Sequence, residues 1–332
     1  MENKTENGFA GCISEEKYEE MMKRTVEPYL GKIVEAGYEN GLYYEFYRQQ
    51  ECKATIVICY GYTESCVKYH ELIYYMHQMG YQVIIWDVRG HGKSVRETDD
   101  LKMVHIGDFS QYVSDMHHMI QKMAVPKSQG KPLYLYAHSM GGCISTLYLE
   151  EYPRVIAKAV LNAPMLGINN GNIPDFAALL LCDLAILFGK RREKLFTMGD
   201  FDPMEPFETC GCDSRARHNY YRSIRATHEE YQNSYASYSW ARAAVRAARK
   251  AVAPKNAAKI RIPVLLFQAE RDAFVRNKEQ DQFLSHIAEG HKVVVDSRHE
   301  ISRNINEQLE PYLKAVSYTH LDVYKRQSIH GG

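Results

Sequence analysis

The chain has 332 residues, its 41 Lys and Arg balance its 41 Asp and Glu, and 45% of it is hydrophobic. The even charge lacks the basic excess of a nucleic-acid binder, so no nucleic-acid partner is expected. The apolar content suffices for a sizeable core, and the length suits one large α/β domain with an inserted piece, or two ordinary domains.

About the first thirty residues are rich in Glu and Lys and hold no apolar run of signal-peptide length. Ala10-Gly11-Cys12 lacks the hydrophobic stretch that precedes a lipoprotein cleavage site. Residues 1–37 are expected as a helical extension. The protein is expected in the cytoplasm, either free or peripheral to the inner face of the membrane.

Short apolar runs then alternate with helical patterns. Residues 54–59 (ATIVIC) read as a buried strand, 66–79 as a helix, 81–87 (YQVIIWD) as a strand and 108–122 as a helix. Residues 133–136 (LYLY) are the next strand, 140–151 the next helix and 157–161 (AKAVL) a further strand. This alternation predicts an α/β fold, a mostly parallel central sheet with helices on both faces.

The rhythm stops from about 171 to 259, a helical stretch rich in Tyr, Arg and Ala. It resumes with a strand at 263–268 (PVLLFQ), a helix at 278–287, a strand at 292–295 (KVVV) and a last helix at 304–315. One α/β domain, 38–169 and 260–316, is thus interrupted by a helical insertion, 170–259. The tail 317–332 has no periodic apolar face, resembles translated adapter sequence and is left outside the fold. The apolar run 176–188 holds Asp183 and falls short of the roughly 20 residues of a membrane span.

Eight cysteines are scattered along the chain and are expected as free thiols. Cys210 and Cys212 are the one pair spaced for a metal. A structural zinc site needs four ligands, and no partner pair stands out, so neither metal nor cofactor is expected. His117 and His118 on a predicted helix point about 100° apart and do not share a face.

The segment AHSMGG, 137–142, lies between a strand and a helix. A serine hydroxyl is a poor nucleophile and must be lifted clear of the backbone beside a base. A sharp strand–Ser–helix turn flanked by small residues does this, although the same turn also serves as a plain structural junction. Ala137 replaces the first Gly of G-x-S-x-G and Gly141 keeps the second. Ser139 is the candidate nucleophile. Of the fourteen histidines, His299 sits in the loop after the last strand and is the candidate base. Asp272, in the loop after the strand ending at Gln268, is the candidate orienting acid, with Glu270 and Asp296 as competitors. The oxyanion donors are expected to be the backbone N–H groups of Met140 and Tyr62, with Gly61 letting the loop turn.

DVRGHGKS, 87–94, mimics the end of a phosphate-binding loop. That motif needs Gly where Asp87 stands, so a tight structural turn is expected, with Asp87 and Arg89 in local hydrogen bonds.

GYTESCVKYHEL (61–72), DVRGHGKS, AHSMGGCISTLYLEEYP (137–153), NAPMLGI (162–168) and RHEI (298–301) resemble the lysophospholipase and monoacylglycerol-lipase group of α/β-hydrolases, most of all its bacterial lysophospholipases. The likeness covers roughly 38–315 and is weakest in the insertion. It implies an α/β-hydrolase fold, a Ser139–Asp272–His299 triad, and a helical cap formed by the insertion. Trp240 falls where the family tends to place a cap tryptophan, and with Tyr60 and His138 it is an expected substrate contact. Tyr60-Gly61 departs from the His-Gly of many of these lipases; a backbone donor tolerates the change.

In the cap, Phe176, Leu179, Leu180, Leu184 and Leu187 are expected either to face an acyl chain or to pack the cap onto the core. Arg242, Arg246 and Arg249 recur at helical spacing in the acid-free stretch 241–259, for a phosphate head group, an anionic surface or solvent. The expected activity is serine hydrolysis of the carboxylic ester of a single-chain lipid, a lysophospholipid or monoacylglycerol. The alternatives are a general carboxylesterase, a proline-specific peptidase, or a non-catalytic ligand-binding module on the same scaffold.

Overall fold

The computed structural model describes residues 9, 11–171 and 173–319. Residues 320–332 of the tail lie outside the described residues, as do 1–8 and Ala10 of the N-terminal extension.

The N-terminal segment forms α1 (Tyr18–Met21), a π-helical turn (Met22–Val26) and α2 (Glu27–Leu30). The chain enters the sheet with β1 (Val34–Glu39) and β2 (Leu42–Tyr47), then forms β3 (Thr55–Cys59), α3 (His70–Gln78) and β4 (Gln82–Trp86). Next come the short β5 (Met103–Val104), α4 (Ser110–Met119), α5 (Val125–Lys127), β6 (Leu133–His138), α6 (Met140–Glu151) and β7 (Lys158–Asn162). The excursion that follows carries α7 (Asp175–Leu187), α8 (Arg215–Thr227), β8 (Tyr235–Ala236), α9 (Tyr238–Ala251) and α10 (Pro254–Ala257). The chain closes with β9 (Val264–Ala269), α11 (Asn277–Leu284), β10 (Gly290–Val295) and α12 (Asn306–Thr319).

Eight strands make one sheet in the order β1-β2-β4-β3-β6-β7-β9-β10. Pairing is antiparallel from β1 to β4 and parallel from β4 to β10. β3, β4 and β9 are buried along their whole length, which is why they read as unbroken runs of Val, Ile and Leu. β10 is one of the two edge strands, mostly exposed, and Lys292 on it discourages pairing with another chain.

Three features depart from the sequence reading. The hairpin β1–β2 begins at Val34, inside the stretch expected as a helical extension. It turns at Asn40 and Gly41, both at positive φ, as a two-residue hairpin requires. α12 runs to Thr319, into the first residues of the tail, with Leu309, Tyr312, Leu313 and Val316 buried beneath it. The insertion includes a strand, β8, paired in parallel with β5.

α9 packs on both α6 and α7, which ties the end of the insertion to the sheet. Its buried face is Trp240, Ala244, Ala247, Ala248 and Ala251, where small residues let the helix approach closely.

Glu150 of α6 lies buried, one carboxylate oxygen lacking a partner among the described residues. Burial pushes its carboxyl up to about 8, against the pull of Lys250 and Lys259. The group therefore takes up a proton on folding, and the fold loses stability as pH rises from the unfolded value, about 4.3, through about 8. Glu150→Gln should raise the melting temperature at about pH 9 and change it much less at about pH 5, as thermal melts at the two pH values will read.

All eight cysteines are free thiols. His117 stacks on Tyr152 with ring centroids 3.9 Å apart, while His118 Nε2 meets Glu39 Oε1 at 2.7 Å.

Candidate active site

Ser139 stands between β6 and α6 with φ 51° and ψ −118°. A positive φ is strained for any residue with a Cβ, so the surroundings must impose it. They do so through backbone bonds. Ser139 N–H donates to the Asn162 carbonyl at 3.1 Å, and the Ser139 carbonyl accepts from Met165 N–H at 2.8 Å. Asn162 in turn donates through Nδ2 to the Ala137 carbonyl at 3.0 Å and accepts the Tyr312 hydroxyl at 2.7 Å. The turn is thus clamped by β7 and α12.

Small residues make the bend sterically feasible. A Cβ on Gly141 would stand 2.1 Å from the Cys59 carbonyl oxygen, and one on Gly142 would stand 2.5 Å from the Pro164 Cβ. Both contacts are with rigid groups that cannot yield. Ala137 sits fully buried in β6, where its methyl is accommodated.

His299 follows β10. Its Nε2 lies 2.7 Å from Ser139 Oγ, and its Nδ1 lies 2.7 Å from Asp272 Oδ2. The other carboxylate oxygen of Asp272 accepts the N–H groups of Phe274 at 2.8 Å and Val275 at 3.0 Å. Burial works against ionisation of Asp272, but His299 and the two amides outweigh it and hold the carboxyl below its ordinary value. The competing acids stand elsewhere: Glu270 is exposed, and Asp296 Oδ1 accepts Arg271 Nε at 2.7 Å. The structure therefore brings Ser139, His299 and Asp272 into one hydrogen-bonded chain. With Nδ1–H held on the carboxylate, Nε2 is left free to accept the serine proton.

The loop after β3 passes directly over Ser139. A Cβ on Gly61 would lie 3.0 Å from the Ser139 Cβ. Gly61 N–H donates to Glu64 Oε2 at 2.7 Å, and the Tyr69 hydroxyl donates to the same oxygen at 2.7 Å. Glu64 thus fixes the loop. Among the described residues, neither the Tyr62 nor the Met140 amide donates to another protein group. Met140 opens α6, where amides have no partner within the helix.

Of the three expected substrate contacts, two line the cavity above Ser139. His138 is buried beside His299, ring centroids 4.8 Å apart. Burial pushes it down to about 4, with Glu64 pulling upward and His299 adding to the fall. It is therefore neutral at ordinary pH. Trp240 lies 4.5 Å from the Tyr62 ring and donates through Nε1 to the Tyr112 hydroxyl at 3.1 Å.

Tyr60 does not belong with them. It is fully buried outside the cavity wall, donating to Asp87 Oδ1 at 2.9 Å and accepting Val88 N–H at 2.8 Å. The turn around Asp87 takes up its hydroxyl and keeps the side chain in the core instead of in the cavity lining.

Asp87 is the hub of DVRGHGKS, accepting also the Cys66 and Lys93 amides, each at 2.8 Å. A Cβ on Gly92 would stand 2.0 Å from Asp87 Oδ2, so this glycine is required by a structural turn. Arg89 makes a two-pronged pair with Asp115 of α4, both bonds 2.8 Å.

The cavity holds about 640 Å³, within the range of small-molecule sites. One wall is apolar: Ala178, Leu179, Leu181 and Cys182 of α7 with Val245 of α9. Another is polar, with Glu64, Lys68, Tyr221, Glu300 and Arg303. Among these polar groups Lys68 Nζ pairs with Glu64 at 2.6 Å and with Glu300 at 2.9 Å.

The arginine stripe of α9 is not left to a ligand. Asp183 of α7 takes both Arg242 and Arg246, while Arg249 is exposed. The sequence window around the stripe is acid-free, but the neighbouring helix supplies the acid. Phe176, Leu180, Leu184 and Leu187, expected against acyl chain or core, instead point outward from α7, and Leu179 faces the cavity.

Asn162, Glu64 and Glu300 escaped the sequence reading as site residues. Each lies in a segment whose wording resembles the lipase group; Asn162 and Glu300 meet Tyr312 and Lys68 far along the chain, while Glu64 holds its own loop through Gly61 and Tyr69.

Comparison with known proteins places the molecule. Residues 50–305 match the family described as serine aminopeptidase, S33. Lysophospholipase L2 of Escherichia coli (strain K12) is 34% identical over 250 residues, covering 74% of this chain and 72% of that protein. Monoacylglycerol lipase of Mycolicibacterium smegmatis is 30% identical over 127 residues, 38% of this chain and 43% of that one. Among solved structures, a soluble variant of monoglyceride lipase from Saccharomyces cerevisiae superposes with a TM-score of 0.69 at 16% identity, over 86% of this chain and 93% of that one. At that identity the likeness speaks for the fold alone.

Proposed function

The chain belongs to the family described as serine aminopeptidase, S33, and from that membership we propose that it hydrolyses the carboxylic ester of a single-chain lipid through an acyl-enzyme on Ser139. The observation that carries this reading is the hydrogen-bonded chain from Ser139 through His299 to Asp272, opening into a cavity with an apolar wall. The names of its relatives, lysophospholipase and monoacylglycerol lipase, support the substrate class.

Ser139 Oγ attacks the ester carbonyl while His299 takes its proton. The Tyr62 and Met140 amides hold the oxyanion. His299 then protonates the leaving glycerol oxygen, with Asp272 stabilising the imidazolium. Water hydrolyses the acyl-enzyme by the same groups, and the acyl chain lies against Leu179, Leu181 and Val245.

A peptidase of the same family would need a free carboxylate for a peptide amino terminus. The cavity's carboxylates already face cations: Glu64 and Glu300 pair with Lys68, and Glu205 lies 3.5 Å from Arg225. The test is release of fatty acid from a lysophospholipid and a monoacylglycerol beside cleavage of a prolyl-peptide amide. Peptide cleavage without fatty-acid release would overturn the lipid reading.

The outer face of α7 is the surface that meets a membrane. Phe176 is 71% exposed and Leu187 77%, with Leu180 and Leu184 between them on the same side. Such a contiguous apolar face marks an interaction surface. No helix among the described residues is long and apolar enough to cross a membrane. Leu180→Glu with Leu184→Glu should weaken vesicle sedimentation severalfold while leaving turnover of a short soluble ester near wild type. Equal vesicle binding would remove α7 from the contact.

A further inference from the structure

We propose that the cavity carries a phosphate-ester subsite on its α8 wall, with Arg222 as the direct contact, so that the enzyme favours phosphate-bearing single-chain lipids over neutral ones. The proposal rests on ester hydrolysis at Ser139 and narrows its substrate.

His218, Arg222 and Arg225 recur on α8 at spacings of four and three, which places them on one face. All three line the same cavity as Ser139 and His299. Five cationic side chains line that cavity: Lys68, Arg222, Arg225, Arg242 and Arg303. Four of them are matched by carboxylates. Lys68 pairs with Glu64 and Glu300, Arg303 with Glu300 at 2.8 Å, Arg225 with Glu205 at 3.5 Å, and Arg242 with Asp183.

Among the described residues, Arg222 alone of the five has no carboxylate within ion-pair distance. Its one hydrogen bond runs from Nη1 to the Glu205 carbonyl at 3.4 Å, the long limit for such a bond. A guanidinium carries five N–H donors in a rigid fork shaped for phosphate or carboxylate oxygens. Most of that fork is left without a protein partner among the described residues, on a side chain that lines the cavity.

The helix that presents Arg222 is fixed in place. Arg217, fully buried, donates to Glu71 of α3 through Nε at 2.9 Å and Nη2 at 2.6 Å. Its Nη1 donates to Glu15 at 3.0 Å and to the Asn304 carbonyl at 2.9 Å. The Arg217 carbonyl accepts from Arg303. The helix backbone therefore needs no ordering when a ligand arrives, and only the Arg222 side chain has to settle. The apolar wall on α7 and α9 and the cationic wall on α8 then address the two halves of one molecule, a hydrocarbon chain and an anionic head, on either side of an ester.

The phosphate on which Arg222 acts is either a head group or a free anion, and two arms separate them. The first compares kcat/KM on lysophosphatidylglycerol and on a monoacylglycerol of the same acyl chain, for wild type, Arg222→Lys and Arg222→Gln. Arg222→Gln should lose about tenfold to a hundredfold more on the lysophospholipid than on the monoacylglycerol, chiefly through KM, with Arg222→Lys between. Equal losses on the two lipids would overturn the head-group assignment. The second measures inhibition of monoacylglycerol hydrolysis by inorganic phosphate. Inhibition that depends on Arg222, without selective loss on the lysophospholipid, would point to free anion and likewise overturn it. Calorimetric titration of glycerol 3-phosphate into Ser139→Ala, with and without Arg222→Gln, reads the subsite without turnover. Binding weakened tenfold there supports the subsite even if neither lipid is hydrolysed, and that last result would overturn the ester reading alone.

Discussion

Ser139→Ala should release fatty acid about a millionfold more slowly than wild type while keeping its melting temperature within a few degrees. The two halves of this expectation have separate origins. Among the described residues Ser139 Oγ has one polar partner, His299 Nε2 at 2.7 Å, and the turn is otherwise held by the Ser139 backbone and by Asn162. Alanine retains those backbone bonds, and its Cβ meets the same positive φ that serine already tolerates. The fold therefore has little to lose. Chemistry loses the atom that forms the acyl-enzyme, and His299 and Asp272 are then left without a nucleophile to activate. A residual rate about a thousandfold above water would reflect the Tyr62 and Met140 amides and substrate binding. Fluorophosphonate labelling, followed on the same two proteins, should vanish with the hydroxyl. A folded variant that still turns over at a rate close to wild type would remove Ser139 from the reaction.

The parts of the molecule that were legible are those whose information is local. β3, β4 and β9 announce themselves because strands buried on both faces must be continuously apolar. Ser139, Asp272 and His299 meet because each follows a strand of one parallel sheet, and parallel strands deliver their following loops to the same edge. Where pairing is distant, the local pattern fails. β1 reads VEAGYE and is half solvated, so its apolar content is too low to signal a strand. Arg242 and Arg246 sit in an acid-free window yet meet Asp183 of α7, two helices earlier in the chain. Asn162 sits on the strand after Ser139 and bonds Ala137 and Tyr312, partners that no periodicity connects. Arg222 is one arginine among several on α8, and only the pairing of the other cavity cations singles it out.

Asp272→Asn is the sharper test of the site, because it removes a charge without removing a shape. Its kcat should fall by about ten-thousandfold near neutral pH with a much smaller change in KM. The geometry says which way the asparagine will turn. Oδ1 of Asp272 accepts two backbone amides, from Phe274 and Val275, and those donors require an oxygen. The amide oxygen of asparagine will take that place, and the NH2 group must then face His299 Nδ1. A donor there forces Nδ1 to accept, which moves the ring proton to Nε2. In that tautomer His299 donates to Ser139 instead of accepting from it, and the first step has no base. The ionised carboxylate also stabilises the fold. Its folded-state pKa is depressed, so this contribution is present above the unfolded value of about 3.9 and is lost as pH falls through the folded one. Asp272→Asn should accordingly melt earlier than wild type at about pH 7, with the difference shrinking as pH falls through the acid range. A variant with normal kcat would mean that another group sets the His299 tautomer. Among the described residues Asp272 is the hydrogen-bond partner of His299 Nδ1, while Glu270 is exposed and Asp296 is engaged by Arg271.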